Sequence, residues 1–91
     1  MIDCKDFCFL LRKFGFDFSV GVPCSILKGV IGCLQLDPEI QYIPATREEE
    51  AIGIATGAHL AGKNPVVLMQ NSGLGSSISA LATLNLIYKI P

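Results

Sequence analysis

Three consecutive glutamates, Glu48, Glu49 and Glu50, stand between an extended apolar stretch and the small-residue run AIGIATGAHLA. A carboxylate in the first turn of a helix sits where the helix dipole favours negative charge. One that faces a crevice could hold or pass a proton. Acidic residues also occupy that position for helix stability alone, so chemistry requires one of the three to turn inward. Glu48 is the strongest candidate; Glu49 and Glu50 are expected to be solvated. A second constellation, NSGLG (71–75), follows the apolar run PVVLMQ and reads as a tight strand-to-helix turn. Its backbone N–H groups could cradle an anion or a polar ligand, with Asn71 and Ser72 the side chains best placed to meet it. As a nucleotide fingerprint it is weak, because Gly73-x-Gly75 lacks a third glycine and no GK[ST] follows. The third constellation is GVPCS (21–25), where Gly21 and Pro23 shape a loop and Cys24 and Ser25 could touch a substrate. Ser25 also reads as a plain helix N-cap. Neither Ser25 nor Ser72 lies in a G-x-S-x-G elbow. His59, the one histidine, falls mid-helix and reads as structural or exposed.

The elements that must position these residues alternate between helical and extended patterns. Asp3 is placed to cap a first helix with Phe7, Leu10, Leu11 and Phe14 on one face, closed by Gly15. DFSVG then reads as a strand and VPCS as a turn. A second helix follows, capped by Ser25, carrying Ile26, Leu27, Val30, Ile31 and Leu34, and stopping before Asp37-Pro38. QYIPA is a second strand. A third helix spans about Arg47 to Ala61 and ends at Gly62. On it Gly53, Gly57 and Ala61 recur every four residues, which suggests the close approach of another backbone, since glycines cost helix stability. PVVLMQ, nearly all apolar, suits a strand covered on both faces. A fourth helix is expected after Gly75, reaching towards Ile90. Helices alternating with strands imply right-handed crossovers and an α/β fold, a three-layer arrangement with a parallel sheet flanked by helices. In such sheets ligands bind beyond the strand ends. Three strands make a thin sheet, and a chain halting at Ile90-Pro91 looks cut short.

The totals narrow the function classes. The chain has 91 residues, of which 51% are hydrophobic, and its mean hydropathy is +0.51. A domain of this size buries roughly two-thirds of its unfolded surface, so part of that apolar surface is expected to meet another domain or subunit. Seven basic and eight acidic residues leave a net charge of −1. With no basic stripe or aromatic ladder, nucleic-acid binding is not expected. No apolar run approaches a membrane span, and Asp3 and Asp6 stand where a signal peptide would be basic, so a cytoplasmic location is expected. Cys4, Cys8 and Cys33 sit among apolar residues at helical spacing and read as small hydrophobes. No metal site is expected within the chain.

Together GVPCSILK, ATREEEAIGIATGAHLAGK and PVVLMQNSGLGSSISALATL resemble the N-terminal, pyrimidine-binding domain of thiamine-diphosphate-dependent decarboxylases. Within that superfamily the match is to the phosphonopyruvate decarboxylases, with the sulfopyruvate decarboxylases as near relatives. The resemblance covers nearly the whole chain. It implies that residues 1–91 form that domain, incomplete at the C-terminal end. It also implies that Glu48 hydrogen-bonds N1′ of the cofactor's aminopyrimidine and promotes its imino form. Asn71, Ser72 and Gly73 are implied on the cofactor side, and Pro23, Cys24 and Ser25 towards a 2-oxo acid substrate. The implied cofactors are thiamine diphosphate and Mg2+, the metal being held by a part not in this chain. Superfamily members often carry His before this glutamate; here Arg47 takes the position. The Gly-Asp-Gly and later Asn of the diphosphate-binding half do not occur in these residues. The implied partner is therefore a diphosphate-binding domain or subunit in a homo-oligomer, and this chain alone is expected to be inactive. The competing readings are a sulfopyruvate decarboxylase subunit, a non-catalytic α/β interaction module and, more weakly, a small nucleotide-binding domain.

Overall fold

A computed structural model describes residues 3–25 and 27–91, with the side chain of residue 71 excepted. Helix α1 (Cys4–Lys13) starts where Asp3 accepts a 2.9 Å hydrogen bond from the Lys5 N–H. It carries acid at its start (Asp6) and base at its end (Arg12, Lys13), in accord with the helix dipole. It stops before Gly15, whose φ of +88° a side chain would resist. Strand β1 (Phe18–Gly21) is buried along its whole length. Helix α2 (Lys28–Leu36), strand β2 (Gln41–Pro44), helix α3 (Glu48–Leu60) and strand β3 (Pro65–Leu68) follow. Gly62, at φ +93°, turns the chain out of α3.

The sheet is parallel throughout, in the order β2-β1-β3. Phe18 pairs with Gln41 on one side and with Pro65 on the other. Prolines at the end of β2 and the start of β3 fall on the two outer strands, where the missing N–H costs least. Side chains alternate across the sheet. Phe18 and Val20 pack with Ala45 against Ala51, Ala55 and Ala58 of α3. On the opposite face Cys8, Leu11, Leu34 and Ile40 form a second cluster with Tyr42, Val66 and Leu68, beneath α1 and α2. The three expected layers are therefore present.

Three local expectations fail. Ser25 does not cap α2: the helix begins at Lys28, and Leu27 precedes it with no side-chain cap. Ile26, expected on the apolar face of α2, lies outside the described residues. NSGLG is not a turn before a helix but the body of one, α4 (Asn71–Ser76), which follows β3 after Met69 and Gln70 alone. The chain then bends at Ser77 into a short turn, α5 (Ile78–Ala80), and a π-helical stretch, Leu81–Leu86, instead of one straight helix from Gly75. The cause is local: the Ser76 and Ser77 hydroxyls both donate to the Gly73 carbonyl at 2.9 Å, so side chains compete for the backbone acceptor. Among the described residues of this chain, nothing would meet a Cβ at Gly53 or Gly57.

The connections decide where a ligand could sit. From β1 the chain passes to α2, on the α1 side of the sheet; from β3 it passes to α4 and α5, which contact α3 on the other side. Adjacent strands whose chains depart to opposite faces leave a crevice beyond their carboxyl ends. The loop at Val22–Ser25 and the start of α4 border that crevice, and α3 begins at the same end of the sheet. Among the described residues no helix is long and apolar enough to cross a membrane.

Candidate functional site

The first turn of α3 gives its three glutamates three different surroundings. Glu50 folds back to accept the Thr46 N–H at 2.9 Å, closing the helix start much as a capping box does. Glu49 pairs with Arg47 at 2.7 Å. Glu48 does neither. Its half-buried side chain crosses to α4 and lies against Gly73. A Cβ built at residue 73 would stand 2.7 Å from Glu48 Oε1 and 2.8 Å from its Cδ. Only glycine leaves room there for the carboxyl.

The hydrogen-bonding state of that carboxyl matters for chemistry. Among the described residues its one polar contact is the Ser76 hydroxyl, 3.5 Å from Oε2. That hydroxyl has a better acceptor in the Gly73 carbonyl at 2.9 Å. The Glu48 oxygens therefore keep accepting capacity for a donor in the crevice, whereas Glu49 and Glu50 are committed to their own helix start. This arrangement fits a ligand that presents a ring nitrogen or N–H edge, such as an aminopyrimidine. Ser76 was not singled out by the sequence, although its spacing of three residues from Gly73 puts both on one side of a helical turn.

The other candidates divide. Gly73 is buried and touches Glu48, while Ser72 is exposed on the same helix. Asn71 opens α4 by its backbone. The expected cradle of N–H groups is curtailed, because the Gly73 N–H already donates to the Gln70 carbonyl at 2.9 Å. Pro23, Cys24 and Ser25 do come together. They line a cleft of 470 Å³ with Lys28, Ile31 and Gln35. Glu48 is not among that cleft's walls, so the two groups of candidates form separate surfaces at the same end of the sheet. Lys28, the one cation among the described residues of the cleft wall, was also missed; the sequence placed residue 28 inside a helix, not at its mouth. No group of three or more His, Cys, Asp or Glu among the described residues could hold a metal ion.

Comparison with known proteins gives these contacts a context. The family described as thiamine pyrophosphate enzyme, N-terminal TPP binding domain, matches residues 6–86. The chain belongs to this family. It is 51% identical over 81 residues to the sulfopyruvate decarboxylase subunit alpha of Methanothermobacter thermautotrophicus, covering 89% of this chain and 49% of that one. It is 56% identical over 77 residues to the corresponding subunit of Methanococcus maripaludis, covering 85% and 46%. Against the phosphonopyruvate decarboxylase of Streptomyces viridochromogenes identity is 37% over the full 91 residues, which are 23% of that protein. The chain thus spans about half the length of the curated relatives it matches first, and a smaller share of the third. The expected superfamily and fold class are borne out.

Proposed function

We propose that this chain is the pyrimidine-facing part of a thiamine-diphosphate-dependent decarboxylase acting on a 2-oxo acid with an anionic group at C3. Phosphonopyruvate and sulfopyruvate are the two candidate substrates: identity is 51–56% to sulfopyruvate decarboxylase alpha subunits, 39% to another sulfopyruvate decarboxylase and 37% to a phosphonopyruvate decarboxylase. The observation that carries the reading is the Glu48 carboxyl seated against Gly73 with its accepting capacity unspent. Bound thiamine diphosphate would supply the electron sink that decarboxylation of a 2-oxo acid needs. Glu48 would share a proton at its carboxylate with N1′ of the pyrimidine, and Gly73 leaves the room in which that carboxylate lies. Ser76 holds the first turns of α4 together beside it. Asn71 and Ser72 flank the cofactor, and Pro23, Cys24 and Ser25 face the substrate, with Lys28 beside them to meet an anionic group. Magnesium and the diphosphate are held by a further domain or subunit; the naming of relatives as subunit alpha supports such a partner. The subunits assemble as an oligomer.

The test is release of carbon dioxide from sulfopyruvate and from phosphonopyruvate by the full-length, fully assembled enzyme with thiamine diphosphate and Mg2+. Turnover of at least one of the two acids is expected. Glu48→Gln should lower kcat by about 10²- to 10⁴-fold, the usual worth of a positioned proton-transfer group, while Glu49→Gln changes it only a few-fold. Turnover of neither acid, or a Glu48→Gln enzyme as fast as wild type, overturns the reading.

A further inference from the structure

The 470 Å³ cleft at the mouth of α2 contains a cation with nothing of this chain to neutralise it. Lys28, Ile31, Gly32 and Gln35 follow one another at spacings of three and four, so they share one face of α2. Pro23, Cys24 and Ser25 form the facing wall. Ile31 is buried and Gly32 adds no side chain, which leaves the floor apolar and open. The described lining holds Lys28 and no carboxylate. Lys28 is exposed, and among the described residues it makes no ion pair. Its position is unfavourable for the helix alone, since a cation at a helix start opposes the dipole. The first turn of α2 has neither an acid nor a side-chain cap to offset that cost. Arg47, which also stands at a helix start at this end of the sheet, is by contrast engaged by Glu49 at 2.7 Å.

We propose that Lys28 is the specificity-determining residue of this cleft, its ammonium group holding the sulfonate or phosphonate at C3 of a 2-oxo acid. The proposal rests on the decarboxylase reading and adds to it the residue that selects the substrate. Sulfonate and phosphonate share one chemistry, a tetrahedral oxyanion. An ammonium suits it, because a point charge with three rotatable donors needs no planar partner. Ser25 and Gln35 offer neutral polar groups to the same space. An acid ending in a methyl group would fill the cleft without pairing the lysine, and a site built to pair a polar group rejects the analogue that lacks it. The anion beyond C3 takes no part in breaking the bond to the carboxyl group. Its contact with Lys28 is therefore made in ground and transition states alike, and losing it should raise KM more than it lowers kcat.

The experiment uses the full-length, fully assembled enzyme with thiamine diphosphate and Mg2+. Wild-type protein is pulsed with acetic anhydride, and the labelling of each lysine is read by mass spectrometry. Three ligands are compared: 3-sulfopropanoate, 3-phosphonopropanoate and butanoate, which carries a methyl group in place of the anion. An anionic ligand should slow acetylation of Lys28 and butanoate should not. Lys63, just before β3 at the other end of the sheet, is the reference. Protection by one anionic ligand alone supports the proposal and names the anion. Kinetics supply a second readout, on whichever of sulfopyruvate and phosphonopyruvate the wild type turns over. Lys28→Met should raise KM by about 10- to 100-fold, the worth of a hydrogen bond to a charged group, with a smaller effect on kcat. Lys28→Arg should recover most of the loss. Acetylation of Lys28 that no ligand slows, or that butanoate slows as much, overturns the proposal. So does an unchanged KM in Lys28→Met, which leaves the decarboxylase reading standing. Wild-type enzyme that turns over neither acid overturns that reading instead, and the labelling alone then decides the proposal.

Discussion

Replacing Gly73 with alanine separates the role of the Glu48 carboxyl from the stability of the fold. The new Cβ would meet Glu48 Cγ first, and would stand 2.7 Å from Oε1 and 2.8 Å from Cδ, against an ordinary contact of 3.4 Å or more, so the Glu48 side chain must retreat by about 1 Å. Among the described residues Glu48 has no tight polar partner, so rotation about its first side-chain bond can move the clashing methylene and the carboxyl together without dragging α3 along. Overpacking a rigid core costs about 1–3 kcal/mol; a flexible side chain lowers that cost, and alanine in a helix recovers up to about 1 kcal/mol over glycine. Stability should therefore stay within about 1 kcal/mol of wild type. Activity should not. A displacement approaching 1 Å at a proton-sharing group costs on the order of 10²-fold, and the loss should appear in kcat more than in KM. The assay pairs carbon dioxide release by the assembled enzyme with its thermal midpoint. A Gly73→Ala enzyme that keeps full kcat would refute the cradle, while equal losses of stability and activity would show that Gly73 serves folding alone.

Two further outcomes follow from buried polar groups. Thr56 donates to the Ile52 carbonyl at 2.8 Å and accepts from Asn85 Nδ2 at 3.1 Å, while Asn85 Oδ1 is buried without a partner in the described structure. Thr56→Val should therefore cost about 1–3 kcal/mol in urea unfolding, because it also strands Asn85 Nδ2. Adding Asn85→Leu should restore most of that loss, since removing both partners is far cheaper than removing one. On the alkaline side, burial raises the Tyr42 hydroxyl above its ordinary range. Burial, followed by the nearby Cys33 and Asp37, raises the Cys8 thiol. Groups whose folded pKa is raised contribute stability that is complete below their unfolded pKa and is lost as pH climbs through the folded one. Thermal stability should decline at alkaline pH as the Cys8 thiol and the Tyr42 hydroxyl ionise, and Tyr42→Phe should lessen that decline.

The layers and the parallel sheet were legible because they rest on patterns that repeat. Phe18 and Val20 alternate with Ser19, and Phe7 and Leu11 of the face expected on α1 do meet the core, joined by Cys8, whereas Leu10 and Phe14 of that expected face are exposed. Boundaries set by a single competing hydrogen bond were not. Ser25 has the right chemistry for an N-cap, yet α2 starts three residues later, where no side chain caps it. NSGLG carries the composition of a turn, with two glycines and two polar residues, and nevertheless winds into α4. One of its glycines, Gly73, is accounted for by a contact distant in sequence, with Glu48, that no local propensity contains. The same limit applies to Gly21, where a Cβ would come within 2.9 Å of the Tyr42 hydroxyl on the neighbouring strand.

Why Glu48 and not its neighbours is the point on which sequence and structure meet. Successive residues at a helix start turn by about 100°, so three adjacent glutamates cannot share one environment. The helix start itself uses two of them. Glu50 closes the backbone through Thr46, and Glu49 takes the charge of Arg47. Those two contacts hold the first turn in place without any help from Glu48, which leaves its carboxylate available to something outside the helix. The crevice made by β1 and β3 supplies the space, because their chains depart to opposite faces of the sheet. Gly73 then supplies the fit, by omitting the one carbon that would fill the position the carboxyl occupies. Removing the Glu49 or Glu50 contact would loosen the helix start, whereas removing Glu48 would leave the fold intact and take away only the proposed proton carrier. That asymmetry, a carboxylate the helix does not need in a seat only glycine can make, is the physical case for Glu48 as the functional residue.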